Sequence, residues 1–183
     1  RSNADTKTIV DAEFQPTRFG IKGGEVRCIA PNANLTGLGP ENVSVVALEV
    51  SLNAQDYSTN AGGYTFYAPP KVISLSPSSG PRHGDTRVLI TGGNLTGGSD
   101  YRGAFGDNTL PVYAEHMNLT TSTIYCVAPA HIYSPTLVPV ELSLNGQQYT
   151  RDHVIFSVHA PVSIDVLSPA TGPTDGETVL IIT

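Results

Sequence analysis

The chain has no tryptophan, one methionine and only two cysteines in 183 residues, and just 14% of its residues are charged. Two cysteines exclude a small scaffold stapled by several disulfides. Ten Lys and Arg, scattered singly against sixteen Asp and Glu, give a net charge of -6. That leaves no basic stripe for a phosphate backbone, so no nucleic acid is expected as a partner. No apolar run approaches the roughly twenty residues that a membrane-spanning helix needs, so no membrane contact is expected within this segment. The pattern of a basic n-region followed by an apolar h-region is also missing from its start. Catalytic signatures are lacking as well. There is no G-x-S-x-G, no H-E-x-x-H and no Cys-His pair, and the five histidines show no metal-ligand spacing. No enzyme activity, cofactor or metal is therefore expected.

In their place stand 18 Gly and 14 Pro, punctuating short runs of Val, Ile, Leu and Tyr. Short runs cut by turn residues, with no helical period, predict many strands and an all-β fold. The chain also repeats itself. Val72 to Thr91 reads V-I-S-L-S-P-S-S-G-P-R-H-G-D-T-R-V-L-I-T, and Ile164 to Thr183 reads I-D-V-L-S-P-A-T-G-P-T-D-G-E-T-V-L-I-I-T, an offset of 92 residues. A unit of about that size can bury its own core, and a tandem array of such units suits reach and stiffness better than chemistry.

The middle unit, 71–160, reads as complete. Strands are expected at Val72 to Leu75, Arg87 to Thr91, Tyr101 to Phe105, Leu110 to His116, Ser122 to Ala128, Val138 to Leu144 and Gln147 to Val158. Ser76 to Gly84, rich in Pro and Gly, reads as a loop. Ile124 and Cys126 should share one face of their strand and Tyr125 and Val127 the other. Asn145-Gly146 between two alternating runs predicts a tight hairpin. Seven such strands make an antiparallel sandwich.

The flanks read as pieces of the same unit. In the segment 1–70, Asp11-Ala-Glu-Phe14 resembles Tyr113-Ala-Glu-His116, Arg27-Cys-Ile-Ala-Pro31 matches Tyr125-Cys-Val-Ala-Pro129, and Ser51-Leu-Asn matches Ser143-Leu-Asn. Its first strands have no counterpart. The segment 161–183 supplies only the first two strands of a further unit, and two strands have little core to bury. The chain thus reads as a window on a longer array. A second reading has the terminal strands of one molecule completing the open first unit of the next.

The order of S-P-x-x-G, Gly84-Asp-Thr86, V-L-I-T-G, Asn94-Leu95, Phe105-Gly106, Ile124-Tyr-Cys-Val-Ala-Pro129 and the Asn145-Gly146 turn resembles the IPT/TIG family of immunoglobulin-like domains. The resemblance covers all of the middle unit, the later half of the first and the start of the third. It implies tandem immunoglobulin-like β-sandwiches. The family occurs in the extracellular parts of plexin-like and fibrocystin-like receptors, in other large surface proteins, and in some DNA-binding factors and starch-processing enzymes. One departure stands out. The family often shows Gly-Gly-Thr where this chain has Gly84-Asp85-Thr86 and Gly176-Glu177-Thr178. The family's cysteine on the fifth strand is often bridged to a partner near the third or fourth; no cysteine stands between Lys71 and Tyr125.

Among candidate site residues, four N-x-S/T sequons place potential N-glycans at Asn34, Asn42, Asn94 and Asn118, all in expected loops or at strand edges. The alternative is ordinary turn-forming Asn. Cys126 is expected as an unpaired, buried thiol, and Cys28 and Cys126, at equivalent places in two units, should stand too far apart to bridge. Asp100, Asp107 and Asn108 read as a solvated loop rather than a calcium site. Some of the eight tyrosines should serve the core and others contact carbohydrate or protein.

Phe66-Tyr-Ala-Pro-Pro70 and His159-Ala-Pro161 leave only short joints between units, and proline limits rotation there. The expected function is a structural and adhesive segment of a long cell-surface or extracellular protein. It would serve as a semi-rigid spacer and protein-interaction module, of a kind suited to a filament or surface appendage, whose partners are other proteins or neighbouring copies of the array. Two alternatives stay open: an intracellular cytoskeletal or ciliary scaffold with filamin-like repeats, and an accessory polysaccharide-binding module of a larger enzyme.

Overall fold

A computed structural model describes residues 7–16, 24–32, 44–106, 111–118, 122–130 and 136–183. In chain order the strands are β1 (Ala12–Pro16), β2 (Gly24–Cys28), β3 (Ser44–Leu48), β4 (Gly62–Phe66), β5 (Lys71–Ser76), β6 (Ser79–Pro81) and β7 (Arg87–Gly93). They continue with β8 (Arg102–Phe105), β9 (Val112–Asn118), β10 (Thr123–Val127), β11 (Thr136–Ser143), β12 (Val154–His159), β13 (Leu167–Ser168) and β14 (Ile181–Ile182). The fold is all-β.

β5 to β12 form one sandwich with strand order β5-β7-β10-β9-β8-β11-β12-β6. One layer is β5-β7-β10-β9. The other is β8-β11-β12-β6, and the two are joined through a short ladder pairing Arg102 with Tyr113 and Gly103 with Val112. Period-two alternation puts the apolar residues of each layer inward. Val88 and Ile90 of β7 and Ile124 and Cys126 of β10 face Phe105, Val140, Leu142, Phe156 and Val158. Phe105 and Phe156 meet edge to face, ring centroids 5.4 Å apart and planes at 87°. Each of these large side chains contributes about 1.5–3 kcal/mol when fully buried, which makes this layer contact the main source of cohesion. Gly103 lies against the β10 thiol, where an added Cβ would stand 3.3 Å from Cys126 Sγ.

Two expectations need correction. The Pro/Gly-rich segment after β5 is not all loop, because β6 pairs in parallel with β12, Ser79 opposite Ser157 and Pro81 opposite His159. This raises the strands of the middle unit from seven to eight and adds one parallel pair to an otherwise antiparallel sandwich. β6 ends the strand order, so Pro81 lacks only an N–H that an edge strand does not need. Gly80 lets it run close to the core, since a Cβ there would meet Thr86 Oγ1 at 2.4 Å and Phe156 Cζ at 2.9 Å.

The tight Asn145-Gly146 hairpin is also absent. β11 stops at Ser143 and β12 starts only at Val154, with a single bridge from Ser143 to Tyr149 between them. The side chain of Asn145 accepts from the backbone N–H of Gln147 and of Gln148, both at 3.1 Å, which closes a local turn instead of a ladder. The Glu141 carboxylate then takes the N–H of Asp152 (3.2 Å) and of His153 (2.9 Å) and the hydroxyl of Thr150. It replaces the strand partners that a continuous hairpin would have supplied.

Outside the sandwich, β1 pairs with β2, β3 with β4, and β13 with β14. Several of their apolar side chains stay in solvent, among them Phe14, Val45, Leu167 and Ile181.

Candidate functional site

Only four residues separate β4 from β5, and the structure ties them down. Ala68 is buried, and Tyr67 packs against the sandwich core. Asn94 Nδ2 donates to the Pro69 carbonyl (3.1 Å), and the Val72 N–H donates to Asp152 Oδ2 (2.7 Å). These contacts fix the connection on both sides of Pro69-Pro70.

Beside the connection lies a cleft of about 460 Å³. Tyr64, Phe66 and Pro69 form one wall and Asn145, Gln148 and Tyr149 the other. Tyr64 and Phe66 meet edge to face at 5.0 Å. Burial raises the phenol pKa of Tyr67 and of Tyr149 above the ordinary value, so both hydroxyls stay neutral donors. Apolar faces with a few amides suit binding. Among the described residues no group of three His, Cys, Asp or Glu comes together to hold a metal. The sequence pointed to the prolines of this connection, but not to the cleft, whose walls are some eighty residues apart along the chain.

The 143–149 turn has a copy in 51–57. Ser51 Oγ donates to Asn53 Oδ1 (3.1 Å), and Asn53 Oδ1 accepts from the N–H of Gln55 and Asp56, as Asn145 does for Gln147 and Gln148. Sequence likeness between Ser51-Leu-Asn and Ser143-Leu-Asn thus becomes likeness of hydrogen bonding.

Several tyrosines carry a cation on the ring face. Lys7 Nζ lies 3.5 Å from the Tyr57 centroid, Arg87 Cζ 4.3 Å from Tyr125, and Arg102 Cζ 3.6 Å from Tyr113. Asp100 holds Arg102 in place with contacts of 2.7 and 3.2 Å. That hydrogen bond raises the Arg102 pKa, against a smaller opposing effect of desolvation. Asp100 therefore positions a cation on Tyr113, which is 73% exposed. Asp107 and Asn108 lie outside the described residues.

Of the two thiols, Cys126 is 2% exposed in the core and Cys28 is exposed, and both are free. Burial pushes the Cys126 thiol pKa up to about 12. Asn94 is exposed on the turn after β7. Asn118 closes β9 opposite Thr123. Asn34 and Asn42 fall outside the described residues.

Residues 70–158 match the family model of the IPT/TIG domain. Mouse plexin-A2 is 34% identical over 120 residues, covering 66% of this chain and 6% of that protein. Mouse plexin-A3 is 23% identical over 127 residues, 69% of this chain and 7% of that protein. The chain therefore spans a small fraction of the relatives it matches. A solved plexin A4 extracellular region, domains 1 to 10, superposes with a TM-score of 0.53 at 21% identity, covering 87% of this chain and 13% of that one. The sandwich of residues 70–158 is an IPT/TIG domain.

Proposed function

We propose that the chain is a structural segment of a long, multi-domain extracellular or cell-surface protein, acting as a semi-rigid spacer and protein-interaction module without catalytic chemistry of its own. In this reading 1–70, 71–160 and 161–183 are successive units of one array. The observation that carries it is the fastened connection at Tyr67–Pro70, where buried Ala68, the Asn94 bond and the Asp152 bond limit rotation. Similarity to a stretch of plexin-A2 supports the placement in a long chain, and the fold shared with a plexin A4 extracellular region is in keeping with it. Interaction with other proteins or with neighbouring copies draws support from exposed Tyr113 under its Arg102 cation, two residue types enriched at protein interfaces. The same caps count against an open tyrosine platform for polysaccharide.

A second reading, an intracellular scaffold, is favoured by one observation, the exposed free thiol of Cys28. An antibody against the sandwich decides between them. Staining of intact, unpermeabilised cells supports the extracellular assignment, and staining only after permeabilisation overturns it. Stiffness is measured with spin labels on β4 and β12. A narrow distance distribution that broadens in a Pro69→Gly, Pro70→Gly variant supports the spacer, and a distribution already broad in the parent refutes it.

A further inference from the structure

The geometry points to Asn94 as an N-glycosylation site whose glycan covers the connection between β4 and β5. This rests on the extracellular reading, because the modification belongs to the secretory pathway. Asn94-Leu95-Thr96 is a sequon, but so are three others; what sets this one apart is its setting. Asn94 sits exposed on the turn after β7, in the left-handed region at φ 55°, with the next residue, Leu95, fully buried. Leu95 anchors the turn from below while the Asn94 side chain lies along the surface.

Its amide is already in use, and the chemistry allows both uses. Asn94 Nδ2 carries two hydrogens, and the bond to the Pro69 carbonyl needs one. In the transfer, Nδ2 attacks the anomeric carbon of an oligosaccharide carried on a polyprenyl diphosphate. The carbon–oxygen bond to the diphosphate breaks, the lipid diphosphate leaves with the bonding pair, and one Nδ2 proton passes to a base of the transferase. The product is a secondary amide that keeps one N–H, so the bond to Pro69 survives modification. The first sugar then stands next to Pro69. Lys71, which pairs with Gly93 just before Asn94, comes under the glycan as well. A glycan here shields the peptide segment that fixes the angle between β4 and the sandwich.

The test secretes the chain from a eukaryotic host behind an added leader, which supplies the compartment whatever the native location, and maps the Asn94 peptide by mass spectrometry. Hexose and N-acetylhexosamine mass on Asn94, retained in Thr96→Ser and lost in Thr96→Ala, supports the site. A bare Asn94 in the secreted parent overturns it and leaves the extracellular reading standing. A glycan present after forced secretion but missing from protein isolated from its native source overturns the proposal through the compartment, which is a different failure. Shielding is read by trypsin at Lys71 before and after removal of the glycan by an amidase that converts Asn94 to Asp, corrected for loss of the Pro69 bond by comparing bare Asn94→Asp with the bare parent, both made in a host without N-glycosylation. Cleavage faster by about threefold or more after removal supports the cover, and equal rates refute it. The amidase arm does not use Thr96→Ala, so loss of folding in that variant does not spoil the test.

Discussion

Two strands of this chain carry a cysteine in matching motifs and live in different surroundings. Tyr125-Cys-Val-Ala-Pro129 runs out of β10 and Arg27-Cys-Ile-Ala-Pro31 out of β2, and each strand pairs antiparallel with the strand before it. β10 has a second partner, β7, on its other edge and a second layer across its inner face, and its cysteine is 2% exposed. β2 pairs with β1, and all five of its residues are exposed. Burial is thus a property of the assembly and not of the motif. The Cys and Ala that the two motifs share become core, as Cys126 and Ala128, only where a neighbouring strand and a facing sheet arrive together.

Introducing a charge at each cysteine is the most severe way to break this comparison. Cys126→Asp places a carboxylate among Ile124, Gly103 and the opposing layer with no partner, and should cost on the order of 4 kcal/mol or more, enough to unfold the sandwich. Cys28→Asp should stay within about 0.5 kcal/mol. Denaturant midpoints of the two variants check this. Equal losses would mean that β2 also lies in a core.

Glu141 and Glu49 make a second matched pair, each followed by a Ser-Leu-Asn turn two residues on. The Glu141 side chain is 14% exposed and accepts from Thr150, Asp152 and His153, whereas Glu49 is 34% exposed and meets Lys7 at 2.7 Å. Glu141→Ala leaves the part-buried Thr150 hydroxyl and Asp152 N–H without their acceptor and should cost about 1–2 kcal/mol. Glu49→Ala breaks a solvated ion pair worth about 1 kcal/mol or less. Thermal unfolding with amide exchange at Asp152 and His153 reports both stability and the local loss.

Alkali sharpens the same contrast without a mutation in the parent. The Cys126 pKa is raised to about 12 in the folded state, from 9.0 for an ordinary thiol. The unfolded chain therefore loses this proton first. The contribution of Cys126 is complete below pH 9 and declines as pH rises towards 12, by up to about 1.4 kcal/mol per pH unit. Cys126→Ser should flatten the stability–pH slope in that window. Identical slopes in variant and parent would deny the buried thiol any part in alkaline unfolding.

These contrasts also mark what was legible in the residues. Alternation along Ser122 to Ala128 put Ile124 and Cys126 on one face, which is the inward one, because period two is a local property that the layers obey. The β6 segment was hidden since Ser-Gly-Pro has no strand propensity and pairs only because β12 offers an open edge. The lost hairpin had a local signal that pointed the wrong way. Asn145-Gly146 favours a two-residue turn, but Glu141, four residues earlier, captured the backbone that would have continued the ladder. The cleft at Pro69 was hidden because its two walls come together only after folding. The prolines beside it were visible because their constraint is written into each residue.

The smallest expected effect concerns a turn that both copies of the repeat share. Asp85 has φ 63° and Glu177 φ 62°, at the positions where the IPT/TIG pattern places its second glycine. A left-handed residue with a Cβ costs about 1–2 kcal/mol, less for Asp, while glycine there costs about 0.5–1 kcal/mol of unfolded-state entropy. Asp85→Gly should therefore stabilise the sandwich by no more than about 1 kcal/mol. Asp85→Val, β-branched at positive φ, should destabilise it by more than that. The Asp85 N–H donates to the Ala128 carbonyl at 3.0 Å, so strain at Asp85 reaches the end of β10 and the core. Glu177 precedes β14, whose residues are exposed. Glu177→Val should accordingly leave the main thermal transition unmoved although its local strain is at least as large. If Glu177→Val lowered that transition as far as Asp85→Val, 161–183 would belong to the cooperative unit of the sandwich, and the contrast between assembled and unassembled copies would fail at its C-terminal end.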